Sequence, residues 1–298
     1  MLRGNRVRLV ATAQANVGLT WRSPEIIDEV ARWLEAVGAD GVIADHEPFV
    51  PRAARKAGVP VVALSHQLLL TETRPAVPLA HRPSALATSL GVRFLAGPRD
   101  AAVVPSFFFP PRRPGSDAEL VPPILRDDVL ALRPRDGGRV LAYVNEGDGM
   151  EQLLDALAGI EADVYGLDPA TPAPPGVTLK TPSRDGFLRD LAAARAVVST
   201  AGFTLLSEAL HLGKPILALP NRGFFEQTVN ALALREQGRG EAVLGRDVRP
   251  ADVQGFLARA EAHRQPAAAD GERGREQAAD AVERALGVES PAGLATAA

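Results

Sequence analysis

The 298-residue sequence contains no cysteine. That absence excludes disulfides, thiolate nucleophiles and sulfur-ligated zinc, and it suits a reducing cytoplasm. There is no excess of basic charge either: 33 Lys and Arg stand against 36 Asp and Glu, a net charge of -3. Nucleic-acid binding normally needs concentrated cationic surface, so nucleic acid is not an expected partner. No run approaches the ~18 apolar residues of a membrane span. The opening MLRGNRVRLVATAQA imitates a secretory signal, but its apolar core is only Leu9 to Ala11. Such a signal needs roughly 7 to 15 residues, so Val7 to Ala11 reads as a strand.

What is present is the balance of a globular protein, 46% hydrophobic and 23% charged, in a chain long enough for two domains. Short apolar runs alternate with helical patterns, the signature of parallel sheets covered by helices. The first half predicts a helix over Pro24 to Val37, strands at Gly41 to Ala44, Pro60 to Leu64 and Ala101 to Val104, and a helix over Pro48 to Ala57. Residues 70 to 100 carry no clear pattern. Ser106 to Pro134 is crowded with proline, cannot be continuous helix or central strand, and reads as a connector. A second alternating series starts at Arg139. The expectation is therefore a shortened N-terminal α/β domain with its proline-rich connector over 1–134, a second α/β domain over 135–288 and a disordered tail over 289–298.

In open parallel sheets ligands bind beyond the carboxyl ends of the strands, which directs attention to the loops after Thr200 and Leu219. The first reads AVVST, AGF, TLLSEALHLGKP. Gly202 would let a ligand approach the backbone, and the helix start at Phe203 and Thr204 would attract a phosphate. Glu208 lies four residues after Thr204, on the same helix face and about 6 Å along it, where a carboxylate could accept ribose hydroxyls. In the second loop, PNRGFFEQTVNALAL, Gly223 permits a sharp turn and Glu226, Gln227 and Asn230 fall in the opening turns of the next helix. Acid and amide groups there suit sugar hydroxyls, and equally suit helix capping.

The stretch GFLRDLAAARAVVSTAGFTLLSEALHLGKPILALPNRGFFEQTVNALAL resembles the donor-binding domain of MurG-like (family 28) glycosyltransferases. DGVIADHEP, AGVPVVALSHQ, PSFFFPP and VPPILRDDVL resemble a less characterised bacterial and archaeal subgroup, so the likeness spans roughly residues 40 to 245. The resemblance implies a GT-B fold, two Rossmann-like parallel-sheet domains facing a cleft, with the N-terminal one incomplete. It implies a UDP-type nucleotide-sugar donor whose diphosphate rests on Gly202 to Thr204, whose ribose meets Glu208, and whose sugar meets Glu226 and Gln227; Thr200 at the strand end and Asn230 in the second loop's helix are counted as substrate-binding with them. Lys180 to Phe187 would flank the base. It further implies no cofactor and no metal, since helix dipole and backbone amides stabilise the leaving diphosphate. The lack of an Asp-x-Asp motif agrees with that.

On the acceptor side the family's glycine-rich loop after the first strand has no counterpart, as if leading βα units were absent. Candidates for the base that takes the acceptor's proton are Asp45, His46 and Glu47 after one strand and His66 with Gln67 after the next. Of these Glu47 and His66 are singled out, with helix capping and an ordinary loop hydrogen bond as the competing readings. The expected activity is metal-independent transfer of a hexosyl or N-acetylhexosaminyl group to a glycan, lipid or small-molecule acceptor. A nucleotide-sugar-binding scaffold that needs a partner subunit, and an epimerase on the same fold, are the alternatives. The expected location is cytoplasmic, with room for peripheral contact with the inner membrane face.

Overall fold

A computed structural model describes residues 2–3, 6–7, 17–144, 150–268 and 271–288. The chain divides into two compact units. One joins Leu9–Ile124 with Glu272–Ala298, and the other joins Leu125–Gly271 with Met1–Arg8. They are called here the first and second unit. The division falls at 124/125 and not at 134/135. In the second unit two short strands, β1 (Leu2–Arg3) and β2 (Arg6–Val7), pair antiparallel. The predicted strand Val7 to Ala11 thus survives only at Val7, and its remainder lies outside the described residues, as does the predicted tail.

The first unit is built on a parallel sheet, β3 (Val42–Ala44), β4 (Val61–Leu64), β5 (Ala101–Pro105) and β6 (Glu119–Val121), in that spatial order. Two helices, α1 (Val17–Val37) and α2 (Val50–Ala57), cover one part, with Ala31, Leu34, Ala53 and Ala54 packed on Val42, Ala44 and Val61. Pro24, read from sequence as a helix start, lies inside α1. The unreadable stretch 70–100 contains α3 (Leu69–Glu72) and α4 (Arg82–Ala96). Helix α4 buries only Val92 and Ala96 fully and leaves Leu86, Leu90 and Phe94 exposed, so its outward face carries no polar stripe from which its period could be read. The proline-rich segment is more than a connector. It supplies β6, which sits at the sheet edge where prolines nearby interrupt no ladder.

The second unit carries α5 (Asp127–Leu130), then β7 (Val140–Tyr143), α6 (Met150–Leu157), β8 (Ala162–Tyr165), β9 (Val177–Leu179), α7 (Arg184–Ala193), β10 (Ala196–Ser199), α8 (Phe203–His211), β11 (Ile216–Ala218), α9 (Phe225–Glu236), β12 (Gly240–Ala242) and α10 (Pro250–His263). Its six strands run parallel in the order β12-β11-β10-β7-β8-β9. Strands β10 and β11 are buried along their whole length, as a sheet covered on both faces requires. The core gathers Val140, Ala142, Val164 and Val198 against Leu153, Leu157, Val253 and Phe256. Lys214, 2% exposed, gives Nζ hydrogen bonds to the carbonyls of Arg135, Ala192 and Ala194 at 2.7 to 2.8 Å. Burial pushes its pKa down to about 8, and three carbonyl acceptors suit the ammonium form.

The last helix, α11 (Arg273–Leu286), departs from expectation. It returns to the first unit, where Ala278, Ala281 and Val282 pack on Val62, Val103 and Val121. Its composition, rich in Ala, Glu and Arg, fits either sheet, and only the tertiary contacts decide.

Candidate functional site

The strand order fixes where a ligand can sit in the second unit. From β7 the chain proceeds outward through β8 to β9, then crosses back to place β10 on the other side of β7. The connections leaving β7 and β10 therefore diverge, and a crevice opens beyond their carboxyl ends. An open cavity of about 360 Å³ lies there, lined at its base by Tyr143, the last residue of β7, and Thr200, which follows β10. Gly202, Phe203, Thr204, Leu205 and Glu208 form one wall; Phe187, Gln227 and Arg126 complete the lining.

The wall from α8 is suited to an anion. The turn from β10 is tight, with the Gly202 amide donating to the Thr200 carbonyl at 2.7 Å. Gly202 is the N-cap, no side chain caps the helix, and no acid stands in its first turn. First-turn amides of a helix have no intrahelical acceptor, and together with the positive dipole end they make a helix start a place where a phosphate is favoured. Gly202 has φ -69°. A Cβ built on it meets nothing within 4 Å. Neither backbone conformation nor protein packing demands glycine here, and the space beside it is open.

Further along α8, Glu208 is 3% exposed overall, yet its carboxylate reaches the cavity. Arg126 donates Nε and Nη2 to Glu208 Oε1 at 3.0 and 2.6 Å. Burial raises the Glu208 pKa above the ordinary carboxylate value, and the Arg126 hydrogen bond and charge oppose that rise. On the far wall Phe187 meets Tyr143 and Tyr165 edge-on, ring centroids 5.8 and 5.1 Å apart. Tyr165 donates to Asp190 Oδ2 at 2.7 Å, and Lys180 Nζ pairs with the same oxygen at 2.9 Å. This network fixes the aromatic wall from behind. Ser183 Oγ accepts from the Gly186 amide and caps α7, which sets the start of the helix that carries Phe187.

Among the residues singled out from sequence, Thr200, Gly202, Phe203, Thr204, Glu208 and Gln227 thus come together. Gln227 Oε1 accepts the Asn221 amide at 2.8 Å and holds the second loop, which turns at Gly223 with φ +89°. Asn230 is not a lining residue: it is fully buried and donates Nδ2 to the Ala201 carbonyl at 3.1 Å, bracing the phosphate-side turn from α9. Glu226, half-buried in the first turn of α9, is likewise outside the lining. Tyr143 and Arg126 were missed. Tyr143 could have been found as the strand-end residue at the point where the strand order reverses. Arg126 sits in a proline-rich stretch 82 residues before its partner, with no local signal.

The candidates in the first unit are engaged structurally. The Glu47 carboxylate accepts the amides of Phe49 and Val50 at 3.1 and 2.6 Å, the capping role that its place before α2 allows. His66 is buried, with Nδ1 2.8 Å from the Pro105 carbonyl. Their neighbour His46, directly after β3, is different. It holds φ +45°, and its buried Nδ1 has no hydrogen-bond partner among the described residues. Burial lowers its pKa, against a smaller opposing effect of Asp45. Among the described residues no group of three or more His, Asp or Glu is placed to hold a metal ion, and no helix is long and apolar enough to cross a membrane.

Comparison with known proteins agrees with this architecture. Solved structures with the same fold include the glycotransferase of kitacinnamycin (17% identity, TM-score 0.60, 96% of this chain and 86% of that one). CalG4, the calicheamicin glycosyltransferase, matches at 20% identity and TM-score 0.57, covering 96% and 83%. Os79 from O. sativa, in complex with UDP and deoxynivalenol-3-glucoside, matches at 15% identity and TM-score 0.61, covering 88% and 81%. These are GT-B glycosyltransferases, and at such identities the likeness is one of fold. No curated protein matches. The profile of glycosyl transferase family 1 matches residues 1–261. With two parallel-sheet units and a crevice at the strand switch point, the chain belongs to glycosyl transferase family 1.

Proposed function

We propose that the chain transfers a sugar from a UDP-type donor to an acceptor, and that the cavity beyond β7 and β10 holds the nucleotide. The observation that carries this reading is the combination on α8 of an uncapped, acid-free N-terminus with a buried carboxylate one turn further on. Diphosphate and ribose of one nucleotide would meet these two features together. Tyr143 and Phe187 offer an aromatic wall for the base, and every base has a π-face to lay against it. The amides of the α8 start would stabilise the charge that develops on the leaving diphosphate, and this chemistry asks nothing of a metal. Structures of three neighbours in this fold contain UDP, which supports the choice of nucleotide. The finer likeness to MurG-like enzymes belongs to the same proposal.

For the acceptor's proton we propose His46 in preference to Glu47 and His66. An imidazole with an unengaged buried nitrogen and a lowered pKa is neutral near pH 7 and able to accept a proton. A non-glycine residue held at positive φ is the kind of strain that collects at functional positions.

Titration calorimetry with UDP tests the donor site. The wild-type chain binds, and Glu208→Ala weakens binding by roughly 10- to 100-fold, the loss of charge-assisted hydrogen bonds worth about 1.5 to 3 kcal/mol. A wild-type chain that shows no heat with UDP removes the proposal.

A further inference from the structure

Within the cavity Arg126 and Glu208 are the only charged side chains among the lining residues, and Tyr143 is the only other titratable one. On α8 the next titratable group is His211, three residues beyond Glu208. The two partners are unequally exposed: the Glu208 side chain is 4% accessible and that of Arg126 43%. Both donors of Arg126 fall on Oε1, so Oε2 keeps no hydrogen-bond partner among the described residues. Arg126 is itself placed by local structure. It is the N-cap of α5, in extended conformation, and its carbonyl receives the amides of Val129 and Leu130.

A carboxyl group can accept hydrogen bonds from two vicinal hydroxyls only while it is ionised; protonated, it becomes a donor at one oxygen. Burial works against ionisation at Glu208, and the guanidinium is the one feature that works for it. A guanidinium is never deprotonated, so its support does not vary with pH. We infer that Arg126 is a positioning residue of the donor site: it holds Glu208 as a carboxylate and fixes its rotation, with one oxygen left over for the ribose hydroxyls. The inference rests on the reading of this cavity as a UDP site, and it adds a prediction that the reading alone does not make. Because Glu208 must be ionised to bind ribose, affinity falls as pH drops through its pKa. Removing Arg126 raises that pKa further, so the fall begins at a higher pH.

The experiment is calorimetry on the full chain between about pH 5 and 8, with UDP and with 2′,3′-dideoxy-UDP, for wild type, Arg126→Met and Arg126→Lys. For Arg126→Met the acid limb of UDP affinity moves to higher pH, so that the loss relative to wild type is greater at the acid end of the range than at pH 8. Arg126→Lys returns the limb toward its wild-type position. The dideoxy compound, having no ribose diol, shows no displaced limb in any variant. A uniform loss at every pH, equal for both ligands, means that Arg126 serves the phosphates or the fold and overturns the inference while the UDP site stands. An unchanged Arg126→Met curve overturns it as well. If wild type binds neither ligand, the site reading itself has failed. The lysine variant keeps the test open should the methionine variant melt early.

Discussion

At the scale of single residues, the distinction that matters is between groups already engaged and groups left waiting. Glu47 has two amide donors and His66 a carbonyl, so their geometry is explained by the fold. His46 has strain and an unengaged nitrogen, neither of which the fold accounts for. If it takes the acceptor's proton, His46→Gln reduces sugar transfer by about 10²-fold or more, within the usual reach of general base catalysis, while UDP binding is unchanged. Glu47→Gln keeps at least one acceptor oxygen for the cap, and it leaves transfer within a few-fold of wild type. Product analysis from a donor and acceptor screen reads both. Equal activity of His46→Gln and wild type would return the question to other residues. His46 shows how far sequence reaches: its place after a strand was visible, but its φ and its nitrogen without a partner among the described residues were not, because neither a backbone angle nor a missing partner leaves a mark in a residue pattern.

At the scale of elements, the strand-turn-helix of β10 and α8 was the most legible part of the chain. Its strand is an unbroken apolar run, Gly202 marks the turn, and the helix period places Thr204 and Glu208 on one face. All three are local properties. Asn230 and Glu226 were assigned to the cavity from their place early in α9, and Asn230 turned out to serve the turn at Ala201 instead. Which side of a helix faces a ligand depends on how it docks, which spacing alone does not fix. Arg126, α4 and the return of α11 were illegible for the same reason. The β10-α8 turn also supports a prediction. Gly202 has ordinary φ and open space at its Cβ position. Gly202→Val therefore melts within a few degrees of wild type, while a branched side chain in the phosphate space lowers UDP affinity about tenfold or more. Melting curves and calorimetry on the same preparation separate the two effects. A large loss of stability would show that the glycine serves the fold.

At the scale of the molecule, each unit has its own sheet and core, and the chain enters each of them twice: β1 and β2 belong to the second unit, and α11 packs on the first unit's sheet after the second unit is complete. The chain has only two tryptophans, Trp21 and Trp33, and both belong to α1 in the first unit. Any unfolding change in tryptophan emission thus comes from the first unit, whereas far-ultraviolet circular dichroism follows helices and strands of both. A ligand that binds one folded unit stabilises that unit by RT ln(1 + [L]/Kd), about 2.7 kcal/mol at a hundredfold excess over Kd. UDP placed on α8 should accordingly move the part of the circular-dichroism transition that belongs to the second unit upward, and leave the fluorescence transition in place. A fluorescence transition that rises in step with the other would mean that the two cores unfold as one cooperative body. A fluorescence transition that rises alone would place the nucleotide in the first unit, against everything the β7 to β10 crevice implies. The experiment therefore locates the ligand by unit without any substitution.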